Sequence, residues 1–157
     1  MINAILPMWK PIEWTSFDVV KKIRNQVKPS KVGHAGSLDP FAEGVLVLCV
    51  GKMTKKVNKI MDYKKQYLVD IQFGERTDTL DCTGKIIKVK KCTNLNEAQV
   101  KDVLKNFIGG IKQIPPMFSA LKYKGQRLYS LARKGIKVRR EARKIYIQNI
   151  DLVSCFK

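Results

Sequence analysis

Apolar and polar residues follow strand and helix spacings along much of the chain. The apolar stretch 4–9 predicts a short strand that ends at Pro11, and residues 45–50 predict a second, more strongly apolar strand. Between them, Thr15 and Asp18 have the spacing of a capping box, which predicts that a helix begins there. The helix is predicted to bury one side, formed by Phe17, Val20, Ile23 and Val27.

The middle of the chain predicts one helix and one strand. Residues 54–61 predict a short helix with Val57, Ile60 and Met61 facing inward. Residues 65–73 alternate between apolar and polar side chains, which is typical of a half-buried strand. Its apolar face would consist of Tyr67, Val69, Ile71 and Phe73. Residues 28–44 and 74–84 fit neither period and are predicted to be loops.

The remaining segments predict a mixture of strands and helices. Strands are expected at 85–90 and 143–153. One helix is expected to begin after Asn96 and to be ended by Gly109 and Gly110, and a second helix is expected at 127–134. Because these elements lack regular βαβ alternation, the predicted fold is α+β, with a mixed, mainly antiparallel sheet flanked by helices. No predicted element follows the strand at 143–153, so we expect an open, association-prone edge there.

Composition limits the classes of protein that the chain can represent. A length of 157 residues fits one domain or slightly less. No apolar run approaches the roughly 20 residues that cross a bilayer, and the first residues do not resemble a signal peptide. We therefore expect a cytoplasmic protein without membrane contact. Four cysteines without C-x-x-C spacing and a single histidine do not form a zinc pattern, so no metal is expected.

The net charge of +18 is the strongest overall signal. Such a charge attracts polyanions, nucleic acid first and anionic membranes second, although a Lys-rich composition alone also produces a basic surface. Basic residues are densest at 133–144, where seven of twelve residues are Lys or Arg. This run is either a solvated surface or a phosphate-binding patch. The candidate phosphate contacts are Arg133, Lys134, Lys137, Arg139 and Arg140.

The segment GHAGSLDPFAEG, residues 33–44, is the main candidate for chemistry. It places the chain's only histidine, His34, five residues before Asp39 and surrounds both with glycines. An aspartate is ionised at neutral pH and can act as a nucleophile or base toward a polyanion held by the basic surface. Gly36 permits close approach of a ligand. The competing interpretation is a simple turn, because Asp-Pro is a common turn sequence.

Two further segments have open interpretations. Tyr67 is either a core aromatic residue of the predicted strand or a platform on which a base stacks. GERTDTLDCTG, residues 74–84, contains three carboxylates, but it lacks the ligand order of an EF-hand. A loop capped by its own hydrogen bonds is therefore expected there.

Four segments in the same order closely resemble the TruB-type tRNA pseudouridine synthases of bacteria. They are VGHAGSLDPFAEGVLVLCVGKMTK, KKQYLV, FGERTDTLDCTGKI and IPPMFSALKYKGQRLYSLARKGIKVRREARKI. The resemblance implies the pseudouridine synthase fold and isomerisation of uridine 55, in the T-arm loop of tRNA. It also implies that the reaction uses neither a metal nor an organic cofactor. The implied partner is the T-arm stem-loop, with no obligate protein partner.

The resemblance also assigns roles to residues. Asp39 matches the essential aspartate that attacks the ribose or the base. His34 matches the histidine that enters the RNA loop where the target base flips out, and Tyr67 matches the tyrosine that stacks on the flipped uracil. An apolar wall that retains the uracil would include Leu38 beside Tyr67.

Two departures from the family pattern affect this expectation. Ala35 stands where many members have threonine. The sequence also stops before the family's later segment, which supplies an arginine paired with the aspartate, and before the PUA domain. The chain is thus expected to be the N-terminal portion of the catalytic domain, with poor or no turnover alone, and no arginine in it takes the missing role. The alternatives are a non-catalytic RNA-binding module or RNA chaperone, and a subunit of a guide-RNA-dependent synthase.

Overall fold

The computed structural model describes residues 2–92 and 95–155. The chain divides into two units, Met1–Val69 and Asp70–Lys157, which are considered separately below. Among the helices within the described ranges, none has the length and apolar character needed to cross a membrane.

A three-stranded antiparallel sheet forms the centre of the first unit. Its strands are β1, Ala4–Lys10, β2, Val32–His34, and β3, Gly44–Val50. The apolar strand β3 lies in the middle, in the order β1-β3-β2. The register places Lys10 opposite Gly44 and His34 opposite Leu48. Both predicted strands are confirmed, but the predicted loop at 28–44 also contains β2, which is too short to show a period.

Helix α1, Ser16–Gln26, covers this sheet and begins at the predicted capping box. The Thr15 hydroxyl accepts a hydrogen bond from the Asp18 N–H at 3.2 Å, and the Asp18 carboxylate accepts one from the Thr15 N–H at 2.9 Å. The core consists of Val19 and Val20 of α1 packed with Leu46 and Leu48 of β3.

The predicted buried face of α1 was partly wrong. Phe17 is 57% exposed, and the Arg24 guanidinium lies over its ring at 5.8 Å. Ser16 and Val19 are buried instead, and Ile23 is half-buried. Because successive helical residues are about 100° apart, a face through positions 16, 19, 20 and 23 turns Phe17 away from the sheet.

A helical segment follows β3. A 3₁₀ helix, Gly51–Lys56, leads directly into α2, Val57–Met61. Val57 and Ile60 are half-buried, as predicted, whereas Met61 is 45% exposed and its predicted inward position is wrong.

The strand predicted at 65–73 is absent, and residues 64–72 have an irregular backbone. Tyr67, Val69, Ile71 and Phe73, the predicted inward face, are all exposed. Alternation indicates a strand, but the strand forms only where a neighbour pairs with its N–H and C=O groups. Within the described ranges, no strand pairs with this segment.

The second unit contains six short strands and two helices among its described residues. The strands pair antiparallel as β4 with β5, β6 with β9, and β7 with β8. Their bounds are β4 Glu75–Thr77, β5 Ile86–Val89, β6 Gly109–Gln113, β7 Lys122–Tyr123, β8 Gln126–Arg127 and β9 Arg143–Ile147. The helices are α3, Glu97–Lys105, and α4, Leu128–Arg133.

Most predicted elements of this unit are confirmed, with changed ends. Asn96 caps α3 through a capping box with Gln99. Gly109 and Gly110 lie in β6 rather than directly ending α3, because the helix already stops at Lys105. Strand β9 is shorter than the predicted strand at 143–153, because only the first five residues of that segment pair with β6. β4 lies within the predicted loop 74–84.

The α+β fold class with antiparallel pairing is confirmed. The described strands form four small sheets rather than one continuous sheet.

The capping box of α1 gives a stability prediction. Thr15→Ala removes the hydroxyl that satisfies the Asp18 N–H, so we expect the free energy of unfolding to fall by about 1 kcal/mol. Thr15→Ser keeps the hydroxyl and should lose much less. Urea unfolding of the three proteins at neutral pH measures both differences. Equal losses in the two variants would contradict the capping role.

The same contact also makes a pH-dependent contribution. Hydrogen bonds from the Thr15 hydroxyl and N–H lower the pKa of Asp18. The resulting stabilisation is present above the ordinary aspartate pKa and is lost as pH falls through the lowered pKa. The stability difference between the parent and Thr15→Ala should therefore shrink in acid, and a difference that is constant with pH would refute this linkage.

Candidate functional site

The candidate site is built on the loop that joins β2 to β3, residues 35–43, called here the Asp39 loop. The two strands are antiparallel neighbours, and the Ala35 N–H extends their pairing by donating to the Val47 carbonyl at 2.8 Å. The loop is therefore held by the sheet at both ends. Asp39 lies in its middle and is exposed.

Asp39 also begins a tight turn. Its carbonyl oxygen accepts a hydrogen bond from the Ala42 N–H at 3.1 Å, with Pro40 as the second residue of the turn. Proline fixes the backbone angle that this position requires. The turn interpretation of the sequence is thus confirmed, and it is compatible with a chemical role because the carboxylate stays at the surface.

His34 ends β2 at the start of the Asp39 loop. Its ring is half-buried, and its Nδ1 hydrogen-bonds to the Gly36 carbonyl. Gly36 has a φ of 108°, in the region that favours glycine, so the fold needs this glycine for its backbone conformation. The imidazole is consequently held over the beginning of the loop.

An open groove of about 600 Å³ lies beside His34. Its lining combines an exposed aromatic ring, a lysine, polar side chains and three valines, which can contact an unstacked nucleotide, and it does not include Asp39. The lining residues are Phe17, Val20, Lys31, Val32, Gly33, His34, Thr54, Val57 and Asn58.

Hydrogen bonds from the first residue of α1 and from the turn before that helix hold the main chain on both sides of Asp39. Before it, the Leu38 N–H donates to the buried Ser16 hydroxyl at 3.0 Å, and this hydroxyl is 3.3 Å from the Leu38 carbonyl. After it, the Glu13 N–H donates to the Pro40 carbonyl at 2.7 Å. The sequence did not predict either contact. In this region only the capping box of Thr15 and Asp18 has a spacing that can be recognised in the sequence.

Lys10 supplies a buried positive charge beneath this region. Its side chain has no solvent exposure, and its Nζ donates to the carbonyls of Pro11 and Trp14 at 2.8 and 2.7 Å. Burial lowers the pKa of Lys10, while the negative charges of Asp39 and Glu43 oppose that shift. The ammonium thus holds the turn that leads into α1 and attracts the carboxylates of the Asp39 loop. Lys10 was not identified from the sequence, although a lysine at the end of an apolar strand could have indicated a buried charge.

The structure brings four of the predicted site residues together. His34, Gly36, Leu38 and Asp39 lie in or beside the Asp39 loop, with Leu38 half-buried. Tyr67 belongs to the irregular segment 64–72, outside any strand, and is 66% exposed. It is therefore not a core residue, and its stacking role stays a prediction.

The second unit carries the five candidate phosphate contacts. Four of them, Arg133, Lys134, Lys137 and Arg139, are exposed. Arg140 differs, because it is half-buried and donates from Nε to the Pro115 carbonyl at 2.7 Å and from Nη1 to the Val138 carbonyl at 3.0 Å. Among the described residues, no carboxylate forms an ion pair with any of the five.

The carboxylate-rich loop at 74–84 is held by its own hydrogen bonds, as predicted. Asp78 accepts from the Lys85 N–H at 2.8 Å, and Asp81 accepts from the Thr83 N–H at 2.9 Å. Partial burial acts to raise the pKa of Asp81, but hydrogen bonds from Thr83 and Thr79 leave it below its ordinary value. Asp78 and Asp81 thus serve as acceptors that shape the loop.

Comparison with known proteins gives a consistent result. Residues 24–157 match the model of the TruB family pseudouridylate synthase, N-terminal domain. The protein named tRNA pseudouridine synthase B from Clostridium perfringens is 45% identical over 150 residues, which is 96% of this chain and 51% of that protein. The protein of the same name from Clostridium acetobutylicum is 47% identical over 153 residues, or 98% of this chain and 53% of that protein.

The chain thus spans about half the length of the curated relatives that it matches. Among solved structures, a chain in the crystal structure of a Cbf5-Nop10-Gar1 complex aligns with 75% of this chain and 30% of its own, at a TM-score of 0.49 and 25% identity.

Lys10 gives a prediction about the site's stability. Lys10→Met supplies an apolar side chain of similar length but leaves the carbonyls of Pro11 and Trp14 without their donor. We expect the free energy of unfolding to fall by about 1–3 kcal/mol. Lys55→Met, at an exposed position, should change it by less than about 0.5 kcal/mol. Urea unfolding tests this, and similar values for both variants would contradict the role of Lys10.

Proposed function

Because the chain belongs to the TruB family of pseudouridylate synthases, we propose that it carries the reactive aspartate of an enzyme that isomerises a uridine of tRNA. The proposed substrate is the uridine at position 55, in the T-arm loop. One observation carries the proposal: Asp39 is exposed on a loop that is held on both sides by the sheet, by the first residue of α1 and by the turn before that helix. The names of the relatives, tRNA pseudouridine synthase B, support tRNA as the substrate.

The reaction is an isomerisation, and its atoms balance without a second substrate. The N1–C1′ glycosidic bond breaks, the uracil turns, and a C5–C1′ bond forms. C5 loses its hydrogen and N1 gains one, so the composition of the nucleotide is unchanged. The step needs neither an oxidant nor a group donor, and we propose no cofactor. Asp39 acts as the nucleophile, toward either the ribose or the base, and the bond that it forms breaks again before the pseudouridine leaves, so the carboxylate is regenerated.

The target base must leave its stack before the carboxylate can reach it. Extrusion of a base costs a few kcal/mol, which contacts with the protein must offset. We assign two residues to these contacts. His34, beside the groove, enters the space in the RNA loop that the flipped base has left, and Tyr67 stacks on the uracil. Leu38, next to Asp39, forms part of the apolar wall that retains the uracil between bond cleavage and rejoining.

The basic surface supplies attraction to the RNA. The net charge of +18 raises the local concentration of a polyanion, and the exposed residues Arg133, Lys134, Lys137 and Arg139 can contact phosphates without losing a carboxylate partner among the described residues. Arg140 already uses two of its N–H groups on carbonyls of the protein, so we assign it a smaller share.

A second candidate function is RNA binding without isomerisation. The chain matches only about half of each relative, and its charge is sufficient for RNA binding without catalysis. Salt-dependent binding of T-arm RNA without any isomerisation would favour this candidate.

The role of Asp39 can be tested with a pair of matched variants. Asp39→Asn keeps the shape but removes the nucleophile, so we expect activity to fall by at least about a thousandfold. Glu43→Gln makes the same change in charge on the same loop and should retain most of the activity. Release of tritium from tRNA labelled at uridine C5 measures the reaction, because C5 loses its hydrogen. All variants are compared in a fusion of the chain to the C-terminal half of one of the curated relatives, because the chain spans only about half of those proteins and is expected to turn over poorly alone.

Two results would count against this assignment. Activity in Asp39→Asn close to that of the parent would remove Asp39 from its role. Equal loss in Asp39→Asn and Glu43→Gln would indicate that the negative charge of the loop matters rather than the nucleophile. If the parent bound RNA but released no tritium, the second candidate function would be favoured.

The basic patch gives a separate prediction about RNA binding. Replacing Lys137 and Arg139 together by alanine should weaken binding to all RNA sequences and reduce the salt dependence of the binding constant. The slope of log K against log salt should fall by about 1.5, because each phosphate contact contributes roughly 0.7 to 0.9. Lys101→Ala, which removes a surface lysine paired with Glu97, is the control and should leave the slope unchanged. Equal slopes for all three proteins would contradict the patch.

A further inference from the structure

Two adjacent hydroxyl groups at the start of α1 have different partners. The Thr15 hydroxyl bonds within its own helix turn, to Asp18. The Ser16 hydroxyl instead reaches Leu38, which is 22 residues away in sequence. A serine in the first turn of a helix commonly bonds to nearby backbone groups, so this long-range contact needs another explanation.

We propose that Ser16 is a positioning residue for Asp39. This inference rests on the proposed function, in which Asp39 is the nucleophile. Ser16 does not touch the reacting atoms. Its hydroxyl fixes the main chain immediately before Asp39, and this determines the direction in which the carboxylate leaves the loop.

The geometry supports the assignment because Ser16 satisfies both polar groups of one residue. The hydroxyl accepts from the Leu38 N–H at 3.0 Å and lies 3.3 Å from the Leu38 carbonyl, to which it donates. Ser16 is only 6% exposed, so water has little access to replace either bond. With the Glu13 N–H bonded to the Pro40 carbonyl, Asp39 is the single residue between two fixed points.

Only one of these two fixed points depends on a side chain. The Glu13 contact uses a backbone N–H, which most substitutions retain, whereas the Leu38 contacts use the Ser16 hydroxyl. Removing that hydroxyl leaves the Leu38 N–H and C=O without these partners. The segment before Asp39 is then free to move, while the sheet that carries the loop is unchanged.

Such a movement should affect the rate of the chemical step more than substrate binding. A displacement of a reacting group by about 1 Å can cost as much as a hundredfold in rate. RNA affinity depends mainly on phosphate contacts, which Ser16 does not make. In the same fusion to the C-terminal half of a curated relative, we therefore expect Ser16→Ala to lower kcat by about 10- to 100-fold and to change KM by less than about threefold.

Ser30→Ala is the matched control. Ser30 is 4% exposed, and its hydroxyl accepts a hydrogen bond from the Ile2 N–H at 3.0 Å. The substitution thus removes a buried serine hydroxyl bonded to the backbone, as Ser16→Ala does, but none of its bonds reaches the Asp39 loop. Loss of stability alone would affect both variants alike. Ser16→Thr, which keeps a hydroxyl, should recover most of kcat.

Hydrogen exchange at the Leu38 amide tests the contact independently of activity. In Ser16→Ala this amide should exchange about tenfold faster than in the parent, whereas in Ser30→Ala it should keep the parent's rate. Unfolding midpoints of all variants, measured in parallel, show that each one is folded under the conditions of the assay.

The inference fails if Ser16→Ala leaves the exchange of Leu38 or kcat unchanged, or if Ser30→Ala lowers kcat to the same extent. It also fails if the lower activity of Ser16→Ala results from a higher KM rather than from a lower kcat. The proposed function fails separately, if Asp39→Asn stays active. In that case faster Leu38 exchange would still show that Ser16 holds the loop, but it would no longer position a nucleophile.

Discussion

The position of Asp39 depends on hydrogen bonds that join the main chain on either side of it to the first residue of α1 and to the turn before that helix. A carboxylate on an exposed loop would ordinarily sample many directions, since few contacts hold such a loop. Here the Ser16 hydroxyl holds Leu38 and the Glu13 N–H holds Pro40. The side chain is therefore accessible to a large substrate, while the backbone beneath it is fixed.

These contacts exist because the sheet and α1 share one core. Leu46 and Leu48 of β3 pack with Val19 and Val20 of α1, and this packing brings the first turn of the helix to the Asp39 loop. Burial of a charged Lys10 is costly, and the carbonyls that it binds offset part of this cost. The same ammonium attracts Asp39 and Glu43, which links the stability of the turn to the charge of the loop.

The sequence predicted the parts of this arrangement that local rules determine. The capping box of α1, the start of α3 at Asn96, the apolar strands β1 and β3 and the turn at Asp39 follow from spacings of a few residues. The Ser16 contact could not be predicted, because it joins residues whose proximity depends on the tertiary fold. The strand predicted from the alternation at 65–73 was wrong for the same reason. A strand requires a pairing partner, and the local sequence pattern does not show whether one is present.

The order of the backbone at Asp39 tests this account most directly. Amide relaxation by NMR should give order parameters near 0.85 at Leu38 and Asp39, about the value of rigid strands such as β3. Values below about 0.6 at these two residues, with β3 rigid in the same protein, would show that the loop is mobile and would contradict the account.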